Sequence, residues 1–159
     1  MNTTHTSIEQ YYVKSFLVEH NEFFEHAVVI NTQVDLEKYD ENSIQTLFIP
    51  QLLNSAHDYE AVVKKAFQVL KPGGVMLATL TSIALPINQE GRSWGFTIAS
   101  AQYIFVKFFK VENIVVKNFG NALAGRLSLT GVSKEDIAAE KLDYADPFFP
   151  VVVGVKAVK

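Results

Sequence analysis

The stretch "VLKPGGVMLATL", Val69 to Leu80, decides how the fold is read. Its first residues close an amphipathic helix, because Tyr59, Val62, Val63, Ala66, Phe67 and Leu70 recur at i, i+3, i+4, i+7 spacing and Asp58 precedes them as an N-cap. Lys71 is expected in the last turn, where a cation suits the negative end of the helix dipole. Pro72-Gly73-Gly74 then stops the helix and supplies positive φ. "VMLATL" (75–80) follows, apolar on both alternating sets apart from one Thr, so it is expected to be a strand covered on both faces.

Working outward toward the N-terminus, "IQTLFI" (44–49) is a strand closed by Pro50, and "HAVVIN" (26–31) is an apolar run too short for a helix. "TQVDLEKYDENS" between them is polar, without periodicity, and reads as a connection. Thr6-Ser7 caps a helix expected over 8–24, with Glu9 or Gln10 in its first turn and Ile8, Tyr12, Phe16 and Phe23 near one stripe. Toward the C-terminus, "TSIALPINQEGRSWGF" is a long irregular stretch of the kind that carries sites or lids. Thr97 then caps a helix to about Phe109, with Ile98, Ala101, Phe105, Phe108 and Phe109 facing inward. "ENIVVKNF" (112–119) is a strand, 121–130 a short helix, "SKEDI" a helical turn, and "FPVVVGVKAV" a last strand. Helices alternating with apolar strands argue for an α/β chain with about five strands in a mostly parallel sheet, the last strand antiparallel.

The bulk numbers agree with one domain over 1–159. A 159-residue chain with 48% hydrophobic residues buries roughly two-thirds of its unfolded surface. Its 12 Phe, 6 Tyr and single Trp are a large aromatic load, and those lying outside the core are expected at a pocket or a partner surface. The net charge of −3, with its 14 basic residues scattered, excludes the clustered positive footprint of a nucleic-acid binder. The absence of cysteine removes disulfides and thiolate chemistry. No basic start followed by an apolar block, and no membrane-length apolar run, points away from export and spanning, and a cytoplasmic protein is expected.

The order helix, "LKPGG", apolar strand, long loop, helix, strand, strand resembles the second half of class I S-adenosylmethionine-dependent methyltransferases. "SIEQYYVKSFLVEH", "FIPQLLNSAHD", "WGFTIASAQYIFVKFF", "VKNFGN" and "KLDYADPFFPVVVGVKAVK" look more narrowly like the methyltransferase domains found beside bacterial glycosyltransferases of surface-glycan assembly. The resemblance implies a reduced Rossmann-like fold. It also implies a glycine-rich cofactor loop after the first strand, and an acidic residue after the second to hold the ribose. Neither is present: no glycine occurs before Gly73, and Asn31 and Thr32 stand where the loop would be. The dozen polar residues between "VVINT" and "IQTLFI" are too few for a helix, a strand and a helix, so the family's second and third strands are expected to be missing. Asp35 or Asp40 is the remaining candidate for the ribose acid.

Candidate residues are therefore few. Asn31, Thr32 and Gln51 are the candidates for cofactor contact, Gln51 because the resemblance places it near the sulfonium. Glu90, Arg92 and Trp94, with Asn88, are the candidates for partner or acceptor contact: Arg92 for a carboxylate or phosphate, Trp94 for stacking on a sugar or helix, against readings as a solvated charge and a core plug. His57-Asp58 reads as a helix cap rather than a catalytic pair, since adjacent helical residues do not face each other. His5, His20 and His26 lack metal spacing, so no metal is expected and no catalytic residue is assigned. The paired phenylalanines of "DPFFP" (146–150) matter to function only if exposed. The expectation is a degenerate methyltransferase-like protein with no cofactor of its own. It would act as an accessory module with a protein partner: a second copy through the strand 26–31 edge, a glycosyltransferase or a methyltransferase. The alternative is an active methyltransferase that binds S-adenosylmethionine through an atypical or partner-completed site. A third possibility is a small-molecule binder that uses the aromatic-rich remnant cleft.

Overall fold

A computed structural model describes residues 6–83 and 94–159. The described chain is α/β, with five strands in one open sheet flanked by helices. In chain order the elements are α1 (Ile8–Glu19), α2 (Asn21–Phe24), β1 (Val28–Val29), α3 (Gln33–Glu37), β2 (Ile44–Pro50), α4 (Leu52–Ser55) and α5 (Tyr59–Val69). β3 (Leu70–Thr81), α6 (Ile98–Phe105), β4 (Ile114–Phe119), α7 (Ala122–Leu129), α8 (Ala139–Asp143) and β5 (Val152–Val158) complete them. The strand order is β1-β2-β3-β5-β4. β1, β2 and β3 are parallel, and β5 runs antiparallel between β3 and β4.

The central strand β3 explains the two-sided apolar pattern. Met76, Ala78 and Leu80 enter the cluster formed with α5 and α6, whereas Val75 and Leu77 enter the one formed with α1 and Phe119. α1 lies so close to the sheet that a Cβ on Gly154 of β5 would stand 2.4 Å from the Phe16 ring. Only a glycine admits Phe16 there.

The Lys-Pro-Gly-Gly turn is a bulge inside β3. Ile44 pairs with Leu70 but Thr46 already pairs with Val75, so residues 71–74 loop out of the ladder. Gly73 takes φ +74, and a Cβ on Gly74 would meet the Lys71 carbonyl at 2.8 Å. α5 ends at Val69, so Lys71 is not in its last turn, contrary to the expectation. The cation at that helix end is Lys159 from the end of the chain, whose Nζ donates to the carbonyls of Gln68 (3.2 Å) and Leu70 (2.7 Å).

Capping follows the sequence. Ser7 Oγ accepts from Gln10 N–H, Asp58 Oδ1 from Ala61 N–H and Thr97 Oγ1 from Ser100 N–H. Several boundaries differ. α6 ends at Phe105 and not near Phe109, and β5 begins at Val152, after the Phe149-Pro150 pair. The first helix breaks at His20, and Phe23 belongs to the separate turn α2. The strand expected over 26–31 pairs only at Val28 and Val29. The connection after it contains α3, capped by Thr32, whose Oγ1 accepts from Asp35 N–H at 3.1 Å.

Candidate functional site

In open α/β sheets the carboxyl ends of the parallel strands are where ligands are bound. At this edge β2 ends on Pro50, and Gln51 turns the chain with φ 55, the left-handed region that a non-glycine residue rarely enters. Its N–H is fixed by the Thr79 carbonyl at 2.8 Å. Its side-chain Nε2 donates to Glu9 Oε1 at 2.8 Å. The Thr81 hydroxyl at the end of β3 donates to the same oxygen. Glu9 is only 3% exposed, so the first turn of α1 delivers a buried carboxylate onto the ends of β2 and β3.

Asn54 completes the arrangement from below. Its Oδ1 accepts from Thr81 N–H (2.9 Å), and its Nδ2 donates to the carbonyls of Thr81 and Trp94, both at 2.8 Å. One buried amide thus ties α4, the end of β3 and the chain at Trp94 together. Thr79 Oγ1, on the Glu9 side of β3, is buried and has no hydrogen-bond partner among the described residues. Chemically the described part of the cluster is a set of donors converging on one carboxylate oxygen, which ties α1 to the ends of β2 and β3.

Of the described residues singled out in the sequence, Gln51 joins this cluster through its side chain, and Trp94 through its backbone, its carbonyl accepting from Asn54 Nδ2 and its N–H donating to the Asn54 carbonyl at 3.0 Å. Asn31 and Thr32 follow β1 and are exposed, and Thr32 serves as the α3 cap, its hydroxyl also donating to Asp35 Oδ2 at 2.7 Å. Asp35, held by Lys38 first and Thr32 second, has its carboxyl below the usual range. Trp94 is partly exposed: its Nε1 donates to the Ala56 carbonyl at 2.9 Å, and its ring meets Tyr59 edge-on at 5.1 Å. Glu90 and Arg92, with Asn88, lie outside the described residues. His57 does not pair with Asp58, which is the α5 cap. Glu9, Asn54 and Thr81 escaped the sequence reading. The only signal was a carboxylate beside Ile8 and one turn from Tyr12, on the stripe that α1 buries.

No family model matches this chain, and no curated protein matches it. Solved structures do match. An Archaeoglobus fulgidus S-adenosylmethionine-dependent methyltransferase superposes with TM-score 0.52 at 13% identity, over 79% of this chain and 64% of that one. Phosphoethanolamine N-methyltransferase 2 of Haemonchus contortus, with S-adenosylhomocysteine bound, gives TM-score 0.50 at 16% identity, over 76% of this chain and 34% of that one. A Thermotoga maritima methyltransferase gives TM-score 0.48 at 12% identity, and the chain spans 58% of its length. The first two show that the fold is that of the Rossmann-like methyltransferases, and this chain spans between 34% and 64% of the length of these three. Among the described residues no helix is long and apolar enough to cross a membrane.

Proposed function

We propose that this chain is a degenerate methyltransferase-like domain without its own S-adenosylmethionine site, acting as an accessory module for a protein partner. The observation that carries the reading is the turn after β1. It has no glycine, and it passes at once into α3 with Thr32 committed as the cap. A backbone that must approach a nucleotide closely and aim its amides at it needs residues without a Cβ. The reduced sheet supports the same reading, since β1 is followed directly by β2 as its neighbour and no acid stands on an intervening strand to hold a ribose. Gln51, the remaining candidate near a sulfonium, spends its amide on Glu9. The residues at this edge therefore fit an adenosyl group poorly. A setting beside a glycosyltransferase follows from the sequence resemblance, and a cytoplasmic one from the apolar patterning of the sequence; both belong to this proposal.

The test is calorimetric titration of the full chain with S-adenosylmethionine and S-adenosylhomocysteine, alongside thermal melts. No heat and no rise in melting temperature are expected. Saturable binding at micromolar ligand would sink the reading in favour of the second one, an active methyltransferase with an atypical or partner-completed site. That alternative is favoured by a neighbour in fold that holds S-adenosylhomocysteine.

A further inference from the structure

The "DPFFP" segment stands out of the surface, and it is built to do so. Phe148 is 84% exposed, Phe149 51% and Tyr144 65%. The tip is rigid. Phe148 N–H donates to Asp146 Oδ1 (2.9 Å) and Phe149 N–H to the Asp146 carbonyl (3.2 Å), so an Asx turn shapes it. Asp146 N–H is anchored on the Gly120 carbonyl and Val151 N–H on the Phe119 carbonyl, both at 2.8 Å. Asn121 Nδ2 holds the carbonyls of Lys141 and Tyr144 on the other side. Exposed aromatic side chains on a backbone held by this many bonds are preorganised contact residues, because little further backbone ordering is needed when a partner covers them.

Beside the tip lies a concave counterpart. Two adjoining hollows share Tyr11, Ser15 and Glu19 on the outer side of α1. The smaller, about 310 Å³, runs past Lys117 and Gly120 to Asp143 and Ala145, the residues that flank Tyr144. The larger, about 520 Å³, is rimmed by Lys14 and Lys134, and Val18 is 67% exposed in it. The tip segment carries Glu140, Asp143 and Asp146 against the single Lys141, and the groove, which Asp143 also lines, carries Lys14, Lys117 and Lys134 against Glu19, Glu135 and Asp143. Glu19 is paired to Lys117, and Glu135 accepts from the Ser133 hydroxyl and Thr6 N–H.

We infer that two copies of this chain pair about a two-fold axis, each seating its Phe148–Phe149 tip in the Tyr11–Val18 groove of the other. Tip and groove share one face, which is what an isologous contact requires. Area favours the reciprocal arrangement over a single insertion. The exposed parts of the three rings amount to on the order of 400 Å². That alone is about half of what each partner of a specific interface covers. Exchange gives every protomer both a tip and a groove to bury and reaches roughly 800 Å² per partner. The acidic tip also opposes an anionic lipid surface.

The inference names the partner and the surface for the interaction-module reading. It is tested independently of the cofactor titration, and it stands or falls whichever way that titration goes. The full chain is followed by sedimentation velocity from roughly 1 to 300 µM, the range in which a weak to moderate dimer dissociates. A reversible monomer–dimer equilibrium is expected, with Kd raised at least about tenfold by Phe148→Ser/Phe149→Ser and, separately, by Val18→Glu, which alters the opposite surface. Far-UV circular dichroism and melting temperature should not change, since all three side chains are exposed. Mixed in equal amounts, the tip variant and the groove variant keep one intact contact and should form a heterodimer tighter than either homodimer. A wild-type chain that stays monomeric throughout overturns the inference, including the case where Phe148 and Phe149 instead pellet it with phosphatidylcholine vesicles. A dimer that both variants leave intact also overturns it and moves the interface elsewhere, with the β1 edge first in line.

Discussion

β3 and β1 are parallel strands of the same sheet, two positions apart, and they differ in almost everything else. β3 is 12 residues long, buried on both faces from Val75 onward, and packed by α1 on one side and by α5 and α6 on the other. β1 pairs at two residues, and Val29 is exposed at the rim of the sheet. Stability is thus concentrated where β3 and β5 meet the helices. The edge where a cofactor loop would begin contributes little to holding the fold together. A chain organised in this way tolerates change at β1 better than at β3.

The contrast can be broken by measurement. The largest effect is expected for Leu77→Ala, which empties a fully buried position under α1; it should cost about 2–5 kcal/mol in urea unfolding. A loss well under a kilocalorie would mean that β3 is not the centre of the packing. Glu9→Ala comes next, since it leaves the Gln51 amide and the Thr81 hydroxyl without this acceptor in a buried place. Its expected cost is about 1–3 kcal/mol. Glu9→Gln should lose less, because its amide oxygen still accepts; equal losses would argue that volume, not hydrogen bonding, holds α1 there.

A smaller effect is tied to pH. The His20 ring sits 4.7 Å from Phe16, edge-on, at the break between α1 and α2. Burial first, and Lys156 second, push its pKa below the ordinary 6.5. The unfolded chain therefore takes up the proton before the folded one. This contribution is complete above pH 6.5 and declines as the pH falls through that value toward the folded pKa. Melting temperature should drop between about pH 7.5 and 5.5, above the range where most carboxylates titrate. In His20→Gln the slope should flatten, and an unchanged slope would place its origin in another group. Smallest of all is Val29→Ala at the β1 rim, expected to lie within about 0.5 kcal/mol of wild type. A cost approaching that of Leu77→Ala would erase the difference between the two strands.

Much of the scaffold was legible in the sequence because its causes are local. The Tyr59–Val69 stripe with Asp58 before it, Thr97 ahead of α6, and the unbroken apolar run of β3 each carry their own periodicity or cap. Where the reading missed, the cause was distant in the chain. β1 shrinks to two pairs because register with β2, not apolar content, sets strand length. Lys159 rather than Lys71 meets the end of α5 because β5 brings the chain's last residue alongside Gly73 and Gly74.

The same division holds for the site. The order of elements and the lack of any glycine before Gly73 were fixed by residue identity alone, since a missing Cβ is a property of one residue in one place. That Glu9 is buried against Gln51 and Thr81, 42 and 72 residues away, was decided only when α1 packed across the sheet. The exposure of Phe148 and Phe149 was settled in the same way, by the anchors that Gly120, Asn121 and Phe119 provide. Hydrophobic identity predicts burial on average, whereas which ring stays in water depends on where the rest of the chain has run out of core to cover it.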